Sequence, residues 1–185
     1  MKSLFSWFKK LISGQPHFRI GSPESPYLLR WYLIPRNRWL NVYLHKFLRS
    51  DDDRALHDHP WWFVSIMVRG SYRETLQREV NLGWLRGPQP LAETTNERSA
   101  PSIAYRDTAA RHRVELPADM NGKPVPCWTI VITGRSVRNW GFWCPQGFVP
   151  WQQFVEHTDH GNIGRGCGEM DSLTPAPEAA PNGPR

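Results

Sequence analysis

Two histidines one residue apart, His57-Asp58-His59-Pro60, stand at the mouth of the apolar run Trp61-Trp62-Phe63-Val64-Ser65-Ile66-Met67-Val68. In a strand, residues i and i+2 share a face, so both imidazoles point the same way. The run is apolar at both parities, which is the pattern of a strand covered on both faces. Two convergent imidazoles grip a metal ion when a third ligand arrives from elsewhere in the chain. The third candidate is His112, within Ala109-Ala110-Arg111-His112-Arg113-Val114-Glu115-Leu116. These residues predict a β-barrel built around a metal site, and they name no substrate.

Seventeen prolines in 185 residues cut the chain into short pieces and leave few places for a long helix. Strands are expected at 28–33, 41–49, 57–70, 72–76, 80–85, 102–105, 111–116, 127–133 and 137–143. Residues 91–100 read as loop. The return from Gly70 through Tyr72 to Leu76 reads as a hairpin on the histidine strand. Many short strands at this spacing indicate a sandwich or barrel. Three segments are expected: an N-terminal amphipathic helix at 1–16, a barrel domain at 17–155 and a flexible tail at 156–185. Within the helix Leu4, Phe8 and Leu11 share a face and Gly14-Gln15-Pro16 stops it. That stripe is expected to pack on the barrel or on a second copy in a homodimer. The alternative is a membrane surface, contacted by residues 1–12 with their lysines. Residues 161–185 hold five glycines, four prolines and few apolar residues.

The formal charge of +6 is concentrated at one end. Residues 1–50 hold nine Lys/Arg against the single acid Glu24, and the remainder is close to balance. A solvated basic rim is the expected reading. Neither zinc-finger spacing nor an RNA-binding aromatic motif occurs, so no nucleic-acid partner is expected. Cys127, Cys144 and Cys167 make no C-x-x-C pair and are odd in number. No disulfide framework is therefore expected, and a reducing, cytoplasmic setting is. No stretch reaches the roughly twenty apolar residues that span a bilayer, and Lys9 and Lys10 interrupt any signal-peptide core.

Neutral imidazole suits iron, nickel, zinc or copper. Two ligands from one strand and one from another make a facial set with positions open to a small-molecule substrate. Asp58 alternates away from the histidines and is expected to bond an arginine or a backbone amide. Glu74 is expected as pocket wall or surface, and Glu115 on the face opposite His112. His45 shares a face with Tyr43 and Phe47. It reads as core first, then as an acid/base group or fourth ligand, and His45 and Tyr43 are the only catalytic candidates. Arg111 and Arg113 are expected to pair with surface acids such as Asp107. A pocket arginine would indicate a carboxylate or phosphate substrate, but nothing in the sequence places one.

The stretch resembles the cupin superfamily of small metal-binding jelly rolls. Its first motif is H-x-H, three or four residues, Glu, six residues, Gly, and His57, His59 and Gly70 match it. Its second motif carries one metal-binding histidine, matched by His112. The likeness covers about residues 40–145. More narrowly, His57-Asp58-His59-Pro60-Trp61, His112-Arg113-Val114-Glu115-Leu116, Trp128-Thr129 and Trp140-Gly141-Phe142 resemble an uncharacterised cupin-like group of bacteria and phages. The resemblance implies an all-β double-stranded β-helix. The family's glutamate position is Phe63 here, or Val64 at the other permitted spacing, and neither can ligate. Phe63 is expected to face the cavity, unless a bulge at Pro60 turns Val64 inward. The implied site is three histidines, as in the thiol dioxygenases, with Fe(II) ahead of nickel, manganese and zinc. A metal-dependent oxidoreductase of dioxygenase type is the leading expectation. A metal-free isomerase using His59, Asp107 and Tyr105 is a third class. A non-catalytic binding module or structural protein of a phage or bacterial assembly is the alternative class.

Overall fold

The computed structural model describes residues 2–51, 55–80, 90–156 and 164–168. Helix α1 spans Lys2–Ile12 and precedes twelve strands: β1 Phe18–Gly21, β2 Pro26–Tyr32, β3 Asn41–Phe47, β4 Leu56–His57, β5 Phe63–Arg69 and β6 Ser71–Glu79. There follow β7 Leu91–Ser99, β8 Ser102–Arg106, β9 Arg111–Glu115, β10 Cys127–Thr133, β11 Gly141–Cys144, β12 Gly147–Pro150 and the short helix α2 Trp151–Phe154. They form two six-stranded sheets, ordered β1-β2-β3-β10-β5-β8 and β12-β11-β4-β9-β6-β7. The pairings between these strands are antiparallel.

From β3 to β11 the chain passes from one sheet to the other at every step except β6 to β7. That alternation makes the double-stranded β-helix of a cupin-type jelly roll, as expected. It also corrects the hairpin expected after Gly70. β5 pairs with β10 and β8, whereas β6 pairs with β7 and β9 in the other sheet. Gly70 is where the chain changes sheet. Its φ is +81°, and a Cβ there would lie 3.0 Å from the Cβ of Cys127, so glycine is required on both counts. Residues 91–100, expected as loop, carry β7, which pairs with β6 over the whole length of both. β7 is exposed at both parities except for the half-buried Arg98, so its polar residues show no apolar alternation to mark an edge strand. The expected strand at 80–85 lies, apart from Val80, outside the described residues.

The strand expected from His57 to Gly70 is broken at Asp58–Trp62. Pro60 cannot donate to a ladder, and the chain uses this gap to cross between sheets. The parity survives the gap: Phe63 is buried beside the histidines, its ring 4.9 Å from that of His59. Phe63, not Val64, therefore faces the cavity, as expected.

Helix α1 docks differently from the expected stripe. Leu4 and Phe8 are 57% and 51% exposed. Trp7 and Leu11, one turn apart, are the half-buried pair. Trp7 Nε1–H donates to the Tyr32 carbonyl at 2.7 Å, and His17 Nε2 bonds the Trp7 carbonyl at 3.0 Å. A tryptophan brings both area and a donor that can close an exposed strand end, which leucine and phenylalanine cannot. Among the described residues no helix is long and apolar enough to cross a membrane.

Cys144 and Cys167 form a disulfide, against the expectation of none. It ties residues 164–168 back to β11, and the Gly164 and Gly166 amides donate to the carbonyl of Phe154 at the end of α2. An odd count concealed it because the third thiol, Cys127, is buried between the sheets. The bridge removes the ground on which a reducing compartment was expected.

Candidate metal centre

His57 ends β4, which is only two residues long and lies between β11 and β9. Its register partner on β9 is His112. Fifty-five positions apart in sequence, the two histidines are direct cross-strand neighbours, with ring centroids 4.7 Å apart. His59 follows in the crossing segment and swings back over the pair, its centroid 5.2 Å from His57 and 5.1 Å from His112. One nitrogen from each ring lies within 4.8 Å of the others, so the three residues could hold one metal ion.

Two observations test that fit. His59 Nε2 and His112 Nε2 are 2.9 Å apart. Two nitrogens bound at about 2.1 Å and roughly a right angle to one ion stand about 3 Å apart, so this spacing suits a shared cation. His57 Nδ1 is buried with no hydrogen-bond partner. The carboxylate of Asp51 stands 3.9 Å from it, a partner for an Nδ1 proton that would leave Nε2 as the nitrogen offered to an ion.

The protonation states agree. Burial pushes His57 down to about 4, against the partial opposition of Asp51, and burial followed by its histidine neighbours pushes His59 well below 6.5. Both rings are neutral at pH 7, the form that ligates. His112 is oriented from behind. Its Nδ1–H donates to Glu74 Oε1 at 3.0 Å, which leaves Nε2 free to face its neighbours. Glu74 is 2% exposed and in turn accepts from both Arg106 Nε, at 3.0 Å, and Arg106 Nη2. Burial alone would raise its pKa, but the His112 and Arg106 hydrogen bonds outweigh it and hold the carboxyl at about 2. Glu74 is therefore neither pocket wall nor surface. A hairpin would put β6 beside β5; the structure puts it beside β9, where Leu76 is the register partner of His112 and Glu74 reaches the back of that ring.

Asp58 points away from the histidines, as expected, and is 0% exposed. It accepts from the Gly141 amide at 3.0 Å, Arg138 at 2.8 Å and Trp143 Nε1 at 3.0 Å, pinning the crossing segment to β11. Arg111 and Arg113 do pair with acids, but with Glu79 and Glu115 rather than Asp107. Tyr105 is exposed on the outer face and the Asp107 carboxylate caps the Ala109 and Ala110 amides. Neither lines the cavity, so the isomerase grouping with His59 is not assembled.

The three histidines open on a cavity of about 390 Å³. Phe63, Trp140 and Phe142 wall it near the histidines, with Trp140 stacked on His59 at 6.2 Å. His45 and Tyr43 also line it, on the inner face of β3. His45 Nε2 accepts from Arg30 Nε at 2.8 Å, so its proton sits on Nδ1, and burial holds its pKa well below 6.5. Burial chiefly raises the Tyr43 pKa, and the Arg30 guanidinium lies 4.9 Å from its ring centre. Arg30 has no place in the expectations drawn from the sequence. A lone arginine at the parity of Leu28 in an otherwise apolar strand was the available signal.

No protein-family model matches the chain, and no curated protein matches it. Solved structures show likeness at low identity. An RmlC-like cupin family protein with a double-stranded β-helix fold from Methanocaldococcus jannaschii is 9% identical, with 64% of this chain and 90% of that chain covered and a TM-score of 0.38. An RmlC-like cupin protein from Ralstonia eutropha is 15% identical over 71% and 70%, TM-score 0.43. The hydroxypropylphosphonic acid epoxidase from S. wedmorenis is 12% identical over 64% of this chain and 56% of its own length, TM-score 0.41. The order and register of the two sheets, rather than these likenesses, define the fold.

Proposed function

We propose that the protein is a metal-dependent enzyme of cupin type, in which His57, His59 and His112 hold one divalent ion and act with the cavity on a small molecule. Fe(II) stands ahead of nickel, manganese and zinc. The observation that carries this reading is the convergence of three imidazoles, two of them held neutral by burial, at one end of an aromatic-walled cavity. The ion, when bound, supplies Lewis acidity and, if ferrous, one-electron chemistry with dioxygen.

The chain's own residues do the rest. Glu74 keeps the proton on His112 Nδ1, and Arg106 keeps Glu74 ionised. Asp58 fixes the segment that carries His59. Phe63, Trp140 and Phe142 exclude water from the histidine end. His45, bonded to Arg30, lines the cavity as a candidate acid/base group with its proton on Nδ1.

Elemental analysis of the full chain, expressed with iron, nickel, manganese and zinc available, is expected to find about one ion per chain. His57→Ala and His112→Ala should each abolish tight binding in calorimetric titration, and His45→Ala should retain most of it. A chain that carries no metal and takes up none of the four ions overturns the reading. The non-catalytic class, a binding module or assembly protein, would then stand. It already draws support from the exposed apolar residues Leu4, Phe5, Phe8 and Ile12 on α1.

A further inference from the structure

Across the inner face of the sheet opposite the histidine strands runs a polar row. Arg30 on β2 is the register partner of His45 on β3, and His45 is the register partner of Thr129 on β10. All three line the cavity, among aromatic and aliphatic neighbours. Arg30 has five N–H donors. One, on Nε, is used by His45. Its two terminal nitrogens donate to nothing among the described residues, and none of the described carboxylates pairs with it. Thr129 is 1% exposed, and its hydroxyl has no hydrogen-bond partner.

A guanidinium kept for structure alone is ordinarily matched by a carboxylate, because one hydrogen bond and a ring contact recover little of its desolvation. Here no matching carboxylate stands beside it among the described residues. His45 orients the guanidinium through Nε and leaves the terminal fork open, the geometry that takes two oxygens of one planar anion. The charge count narrows the anion further. Arg30 is the one Lys/Arg among the described residues lining the cavity, and the lining acid Asp51 is already engaged by Tyr27 and the Val114 amide.

We propose that Arg30, positioned by His45 and joined by the Thr129 hydroxyl, is the anion-binding end of the cavity, and that it takes the carboxylate of a small organic acid. A single guanidinium matches a monoanion better than a phosphate dianion. The volume of about 390 Å³ lies at the small end of ligand pockets. The aromatic walls suit an apolar body between the carboxylate and the histidine end. Only the statement that this body reaches a metal rests on the function proposed above.

The test is calorimetric titration of the full chain, metal-free and metal-loaded, with acetate, benzoate, 3-phenylpropionate, benzamide and inorganic phosphate. At least one carboxylate should bind the metal-free chain, benzoate more tightly than its neutral analogue benzamide, and phosphate more weakly than the best carboxylate. Arg30→Met should weaken that carboxylate about ten- to hundredfold, the range of a hydrogen bond to a charged group. Thr129→Val, which keeps the side-chain shape, should weaken it by a smaller factor. Metal content should be the same in all three proteins. Carboxylate binding that is indifferent to Arg30→Met overturns the proposal. So does failure of all three carboxylates to bind the metal-free chain, benzamide binding as tightly as benzoate, or phosphate binding tighter than every carboxylate. Arg30-dependent binding in a chain that takes up no metal would uphold this proposal and overturn the metal reading alone.

Discussion

Glu74 serves one imidazole and one guanidinium at once, and it is buried with both. Glu74→Gln keeps an acceptor for His112 Nδ1–H but removes the charge that holds it. Metal affinity measured by chelator competition is expected to fall about 10- to 100-fold, the usual effect of losing such an outer partner. The same change leaves the Arg106 guanidinium buried and unmatched, so urea denaturation should show a loss of roughly 3–5 kcal/mol. Acid acts on the same cluster. His57 titrates at about 4 in the fold against an ordinary 6.5, so the unfolded chain binds more protons between those values and stability falls as pH drops through them. Glu74, at about 2 against 4.5, adds a loss of the same sign at lower pH, starting below 4.5. The metal-free chain should therefore lose on the order of 3 kcal/mol from His57 between pH 6.5 and 4. Bound metal should hold the urea midpoint level to a lower pH, because the ion occupies the nitrogens that protons need. Equal pH curves with and without metal would separate the ion from these histidines.

Element by element, the decisive positions are the crossings between sheets. At Gly70 any side chain meets a positive φ and the packed Cys127 together. Gly70→Ala is expected to lower stability by about 1–3 kcal/mol and to lower metal affinity as well, because β6 carries Glu74. Thermal melting and chelator competition on one preparation check both. α1 offers the contrasting case. Trp7→Ala should destabilise measurably, since Trp7 holds the helix to β2, whereas Phe5→Ser, at a position 72% exposed, should stay within about 0.5 kcal/mol. A larger effect at Phe5 than at Trp7 would mean that the exposed face is covered in solution.

For the whole molecule, the Cys144–Cys167 bridge closes a loop over a sequence separation of 23 and brings residues 164–168 against β11 and α2. Closing a loop of that length stabilises by roughly 3 kcal/mol in the chain-entropy account. Cys144→Ser, or a reducing agent, should lower the melting temperature by several degrees. Metal binding should survive, since Cys144 lies two residues past Phe142, the register partner of His57, and neither cysteine lines the cavity. A protein that melts identically in oxidising and reducing buffer would not contain the bridge.

That His57, His59 and Phe63 share one side was legible in the chain because strand alternation is local, whereas His112 joins them only through its register with His57. Two positions on one parity share a face whatever the rest of the molecule does. The two-sheet architecture was legible for the same reason, in short apolar segments cut by proline and glycine. Which strand lies beside which was not legible, because pairing is decided by contacts far apart in sequence. Gly70 reads equally well as a hairpin turn and as a crossing, and only the packing of β6 against β9 selects the crossing. That one choice brought Glu74 behind His112 and buried Arg106 with it. Arg30, His45 and Thr129 lie on three strands separated by up to a hundred residues. Each alone is an ordinary polar residue in a strand, and only the lateral register makes them one row. The disulfide follows the same rule, since two cysteines 23 positions apart become partners only after β11 and the segment beyond α2 have been folded onto each other.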